Sequence, residues 1–126
     1  IKTDNSKTIY QRLEYIEEEI KSLLTKYQVT EIVIEAPSFG SRGANSYLLF
    51  GVHFSVSRLF ILKNLPLTQL NIASIKKFAT GSGRAKKNDM INALPIELKD
   101  LFLSHGFLKS KGLPDLADSY FIGKKY

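Results

Sequence analysis

The chain has 126 residues, 44% of them hydrophobic and 24% charged, a balance that supports one globular domain with its own core and excludes fibrous or disordered classes. It contains no cysteine, which excludes disulfides and thiolate-held zinc and leaves oxygen donors or two histidines for any metal. The net charge is +6, unevenly spread: residues 71–90 hold Lys76, Lys77, Arg84, Lys86 and Lys87 against Asp89 alone, whereas residues 7–28 balance Lys7, Arg12, Lys21 and Lys26 with Glu14, Glu17, Glu18 and Glu19. Local positive charge of this kind suits a surface that meets phosphates, and equally a solvated basic loop.

No apolar run approaches the ~20 residues of a membrane helix, and Ile1 to Ser6 show no signal-peptide core, so a soluble, cytoplasmic protein is expected. The chain opens on Ile1, from which we expect residues ahead of it in a longer chain.

From Ile9 the apolar residues Ile9, Leu13, Ile16, Ile20, Leu23 and Tyr27 recur at spacings of three and four, which predicts a long amphipathic helix. Thr8 and Gln11 could form its capping box, with Asp4, Asn5 and Ser6 as competing caps. Glu31 to Glu35 is β-branched, closes at Pro37 and Gly40, and reads as a short buried strand followed by a turn. A helix is predicted over Asn45 to Lys63, ended by Asn64-Leu65-Pro66, and a second strand over Leu67 to Ala73. A helix from Ser74 is interrupted by Gly81-Ser82-Gly83. Short helices follow over Lys86 to Leu94, Glu97 to His105 and Pro114 to Lys124, the last opening on proline. Helix, strand, helix, strand and then helices make an α/β layer fold.

Glu35 stands where an apolar strand leaves the sheet, the edge at which open α/β folds place ligands. Asp115 and Asp118 lie three residues apart on one helix, where like charges repel unless something positive sits nearby. Three acids on two elements could surround hard cations, since Mg²⁺ prefers oxygen donors and paired ions ~3.5–4 Å apart can clamp a phosphodiester displacement. Singly, each has a plainer reading: Glu35 as a solvated strand boundary, Asp115 as a first-turn acid favoured by the helix dipole.

The stretches "IVIEAPSFG", "LNIASIKKFATGSGRAKKNDMI" and "DLADSYFIG", in that order with a long helix after the first, resemble the Holliday junction resolvases of the RuvC family, within the ribonuclease H-like superfamily. The resemblance covers nearly the whole chain. It implies a ribonuclease H-like mixed sheet flanked by helices, and a single nuclease domain over residues 1–126 that lacks its N-terminal hairpin strands. It also implies Glu35, Asp115 and Asp118 as catalytic and metal-binding acids, Mg²⁺ or Mn²⁺ as cofactor, and Lys76 and Lys87 as DNA-binding residues beside them. Lys77, Arg84 and Lys86 extend that basic run. Phe39 is similar to a base-stacking aromatic of the same loop but falls one residue later, and packing under the loop explains it equally well. Arg42 fits phosphate contact or a solvated loop.

One family feature has no counterpart. The resemblance implies a first catalytic aspartate on the family's first, central strand, which these residues do not supply, and Asp4, just before the first helix, is on the wrong element to replace it.

Other candidates read more simply. Asp89 would pair with Lys86 one turn away at the surface, His105 would cap a helix end, and His53 would join a packed interface. Tyr10, Tyr15 and Tyr47 read as core or rim. The expected function is a Mg²⁺-dependent endonuclease cutting four-way junctions in branched DNA as a homodimer, with Leu48, Val52, Val56 and Leu59 as the dimer seam or as a face laid on the sheet. The alternatives are a catalytically incomplete branched-DNA binder, or another ribonuclease H-like nuclease acting on flaps, forks or RNA–DNA hybrids.

Overall fold

The computed structural model describes residues 1–37 and 44–126; Phe39 and Arg42 lie outside the described residues. The chain divides into two compact units, Ile1–Ile32 with Pro37–Thr68, and Val33–Ala36 with Gln69–Tyr126.

In the first unit α1 (Ile9–Lys26) begins at the capping box anticipated from sequence. Gln11 N–H donates to Thr8 Oγ1 (3.3 Å), and Thr8 N–H donates to Gln11 Oε1 (3.0 Å). Two of the amides that a helix start leaves unpaired are thereby satisfied. Helix α1 packs against α2 (Ala44–Leu62), and Ser55 Oγ donates to the Glu17 carboxylate across them. The stripe expected to form a dimer seam is only partly available: Leu59 is buried and Val52 and Val56 are half-buried, with Leu48 at the margin of exposure. Tyr47, Phe54 and Ile61 are exposed instead, at seven-residue spacing. Helix α2 is apolar on almost every side, so spacing alone picks no face. Tyr10 (80% exposed) and Tyr47 (82%) are not core residues, and Tyr15 is also exposed.

Strands β1 (Ile32–Glu35) and β2 (Leu67–Leu70) make a two-stranded sheet. Ile32 N–H donates to Pro66 O (2.9 Å) and Ala36 N–H to Leu70 O (2.8 Å), so partners advance in the same sense and the pair is parallel. The strand expected to be buried is half-buried throughout. A parallel sheet usually lies deep because further strands and helices cover it; with one neighbour per strand among the described residues, each keeps an open edge.

Strand β2 ends three residues earlier than expected. Asn71 Oδ1 accepts from Ala73 N–H (2.8 Å) and caps α3 (Ile72–Thr80) there, drawing Ile72 and Ala73 into the helix. Helices α4 (Lys87–Ala93), α5 (Ile96–Ser104) and α6 (Leu113–Lys125) complete the second unit. Its core is Ile75, Ala85, Met90, Ile91, Leu94, Leu113, Ala117 and Phe121, contributed by α3, α4, α6 and the segments between them. His105 caps α5 as anticipated, its Nδ1–H donating to Leu101 O (2.8 Å). Asp89 does not pair with the Lys86 ammonium: its carboxylate accepts from the Lys86 backbone N–H (2.7 Å), closing the first turn of α4. That amide is one of the helix's own unpaired donors, so the carboxylate serves it in preference to a mobile side chain in water.

Candidate active site

The three acids and the two lysines matched to them all belong to the second unit. Glu35 closes β1, whose end is held by the bond from Ala36 N–H to Leu70 O. On α6, Leu113, Pro114, Ala117 and Phe121 are buried. Asp118 follows Ala117 by one residue and Pro114 by four, so it sits at the margin of that buried stripe and is half-buried itself. Asp115, in the first turn, is exposed and near the positive helix end.

On α3 the wholly buried Ile75 sets the register, which leaves Lys76 half-buried beside it and Lys77 in solvent. The Gly-Ser-Gly turn then carries the chain from α3 to α4. Gly81 takes φ +81°, a left-handed helix end that L side chains resist, and its N–H donates to Lys77 O (2.9 Å). Gly83 approaches α3 so closely that a Cβ there would stand 3.1 Å from Ala73 O. Helix α4, starting at Lys87, packs on both α3 and α6. The glycines thus bring the exposed Arg84, Lys86 and Lys87 onto the unit that bears the acids.

Two of these carboxyls are shifted by burial and by the charges around them. The Glu35 carboxyl is raised above its ordinary pKa by burial and further by the negative charge of Asp118, with Lys76 pulling it back. Asp118 is raised too, by burial first; Lys76 opposes, Asp115 adds repulsion and Lys87 opposes again. Lys76 therefore acts on both carboxyls, and the repulsion between Asp115 and Asp118 is met by two lysines from separate helices. This is the positive charge that the spacing of the aspartates called for.

The donors suit a hard divalent cation in kind, since all are carboxylate oxygens. Among the described residues no three His, Asp or Glu side chains gather closely enough to hold an ion by themselves. Mg²⁺ is commonly bound through one or two carboxylates, keeping waters and taking phosphate oxygens for the rest. Glu35 and Asp118, both half-buried carboxylates of the second unit, could serve as two such donors.

Sequence reasoning passed over two residues that shape the site. Asn71 fixes where α3 starts, and hence the register of Lys76; an Asn directly before a helical run was the available signal. Gly83 was read as part of an interruption, whereas the structure makes it a contact point with α3.

The parallel β-α-β pair with further helices is an α/β arrangement, and its second unit carries acids on a strand end and on a late helix. Within that class the chain matches RuvC structures from Thermus thermophilus across 99% of its length. The TM-score is 0.64 at 15% identity over 75% of one such chain, and 0.66 at 15% identity over 76% of another, described as bound to a Holliday junction substrate. By sequence it is similar to proteins named crossover junction endodeoxyribonuclease RuvC. It is 33% identical to that of Bacteroides fragilis over 86 residues, covering 68% of this chain and 45% of the relative. It is 28% identical to that of Pseudothermotoga lettingae over 103 residues, 80% and 64% respectively. For Dehalococcoides mccartyi the identity is 34% over 83 residues, 65% and 49%. No family model matches the sequence. Over these three alignments the chain spans between 45% and 64% of the relatives' lengths. The resemblance to RuvC-type Holliday junction resolvases, carried by three short stretches in the sequence, holds in the fold as well.

Proposed function

We propose that the chain carries the catalytic face of a metal-dependent endonuclease that resolves four-way DNA junctions. One observation carries the reading: Glu35 and Asp118, on elements far apart in sequence, are half-buried carboxyls of one unit, with Asp118 raising the Glu35 carboxyl and Lys76 opposing the rise of both. Mg²⁺ or Mn²⁺ held by Glu35 and Asp118, with Asp115 alongside, would supply the Lewis acidity and charge by which paired ions activate water and steady a leaving oxygen. The chain's own residues do the rest. Lys76 and Lys87 offset the charge of phosphates next to the scissile bond, fixing the register of the backbone without reading its sequence. Lys77, Arg84 and Lys86, exposed on the same unit, add to that field, and the proposed DNA-binding set also includes Phe39, by resemblance, and Arg42, by its charge.

Two nicks related by a two-fold axis call for two copies of the site, so we propose a homodimer. The exposed stripe Tyr47, Phe54 and Ile61 of α2 is a better seam than the more buried Val52, Val56 and Leu59.

A second reading, a branched-DNA binder that does not cut, is favoured by the lack of a three-acid group among the described residues. Incubating the protein with labelled four-way junction, flap and RNA–DNA hybrid in Mg²⁺ separates the readings. Paired nicks in the junction, abolished by Asp118→Asn with binding retained, support resolution; a shifted junction band with no product favours the binder, and preferential cutting of flap or hybrid favours a related nuclease.

A further inference from the structure

A tight turn precedes the helix that bears the two aspartates. Leu108 N–H donates to Lys111 O and Lys111 N–H to Leu108 O, both at 2.9 Å, so Lys109 and Ser110 form the tip of a closed four-residue turn. Both of its roots are held. Phe107 N–H donates to Phe102 O (3.1 Å), and the two rings meet edge to face with centroids 6.4 Å apart. Gly112, at φ +85°, lies so close to Phe107 that a Cβ would come within 2.9 Å of the ring. The next residue, Leu113, is wholly buried in the core of the unit.

The turn therefore has a fixed place relative to α6, and it carries two lysines. Lys109 and Lys111 are exposed, and neither pairs with an acid among the described residues. Lys111 stands four residues before Asp115, a path that spans at most ~14 Å even fully extended. A phosphodiester brought to Glu35 and Asp118 meets carboxylates of its own sign, which Lys76 and Lys87 offset from α3 and α4. In the segment that leads into α6, the basic residues are Lys109 and Lys111 of the turn.

Resting on the reading of the site as a nuclease, we infer that the Leu108–Lys111 turn is a further DNA-contacting element, in which Lys109 and Lys111 each hold a backbone phosphate of the strand lying along the start of α6. Because the backbone of the turn is already fixed, binding orders only the two side chains.

The test is fluorescence anisotropy with a labelled four-way junction in EDTA, repeated between 50 and 200 mM salt. The full chain is compared with Lys109→Ala, Lys111→Ala, their double variant and Lys63→Ala, an exposed lysine of the first unit. Each turn variant is expected to lower the salt slope by about 0.9, so that its deficit grows about 3.5-fold from 200 to 50 mM, while Lys63→Ala leaves the slope in place. A double variant with the parental slope, folded by its thermal melt, overturns the turn's role and leaves the nuclease reading standing. Should the parent bind duplex DNA but not the junction, the junction reading fails and the turn is judged by the same slopes on duplex; no binding to either overturns both.

Discussion

Asp118→Asn tests the electrostatics of the site without any nucleic acid. Burial and the neighbouring Asp115 raise the Asp118 carboxyl above its unfolded value, against the pull of Lys76 and Lys87. A carboxyl shifted in this direction stabilises the fold fully below the unfolded pKa, and that contribution is lost as pH rises from about 4 through the folded pKa. At neutral pH the charged carboxylate is therefore a cost that the amide removes. Asp118 is only half-buried, so water screens the effect, and a gain of roughly 0.5–1 kcal/mol is expected, or about 2–4 °C in Tm for a chain of this size. Melts followed by circular dichroism in EDTA should show the variant above the parent at pH 7 and the gap closing towards pH 3.5. Adding 10 mM Mg²⁺ should reverse the order, since a site with Kd of about 1 mM gains about 1.4 kcal/mol in the parent and little in the variant. A variant less stable than the parent at pH 7 in EDTA, or a gap that widens on acidification, would refute the account of a desolvated, repelled carboxylate.

Lys76→Ala and Lys87→Ala should each reduce the salt slope of junction binding by about one counterion, and an unchanged slope in both returns them to solvated charge. Lys76→Ala should also push the Glu35 carboxyl still higher, visible as an upfield-to-downfield titration at higher pH in side-chain NMR; no movement would mean that Lys76 does not face it. Leu113→Ala removes a wholly buried side chain at the root of α6 and should cost roughly 2.7–5 kcal/mol in denaturant unfolding. Gly81→Ala, forced to hold a left-handed φ, should cost roughly 1 kcal/mol, and Gly81→Asn less, by the same measurement.

Much of this was legible before the structure. The capping box at Thr8 and Gln11 is local, depending on residues within one turn, and so could be read from spacing. Glu35, Asp118, Lys76 and Lys87 were singled out by motif order, and all four lie on one unit, where the lysines oppose the rise of the Asp118 carboxyl. What escaped depends on partners that spacing does not reveal. The face of α2 was left open between a dimer seam and a packed face, because its apolar residues encircle the helix and only the position of α1 decides which are covered. The depth of β1 depends on how many strands flank it. Asn71 looked like strand because Leu67 to Ala73 alternates, and the cap bond to Ala73 N–H outweighs that pattern. Asp89 was given to an ammonium because charge pairing is easy to see, whereas the demand of a helix's first amides is not.

The buried stripe of α6 has a bearing on which changes of length the protein could absorb. Leu113 anchors the helix from within, so residues added at the tip formed by Lys109 and Ser110 would lengthen a surface excursion while the aspartates kept their orientation. One residue inserted between Ala117 and Asp118 would instead swing the second aspartate by about 100° around the axis and away from Glu35. Homologous chains should therefore differ freely in size just ahead of this helix, yet preserve the count of residues from its anchor to its acids.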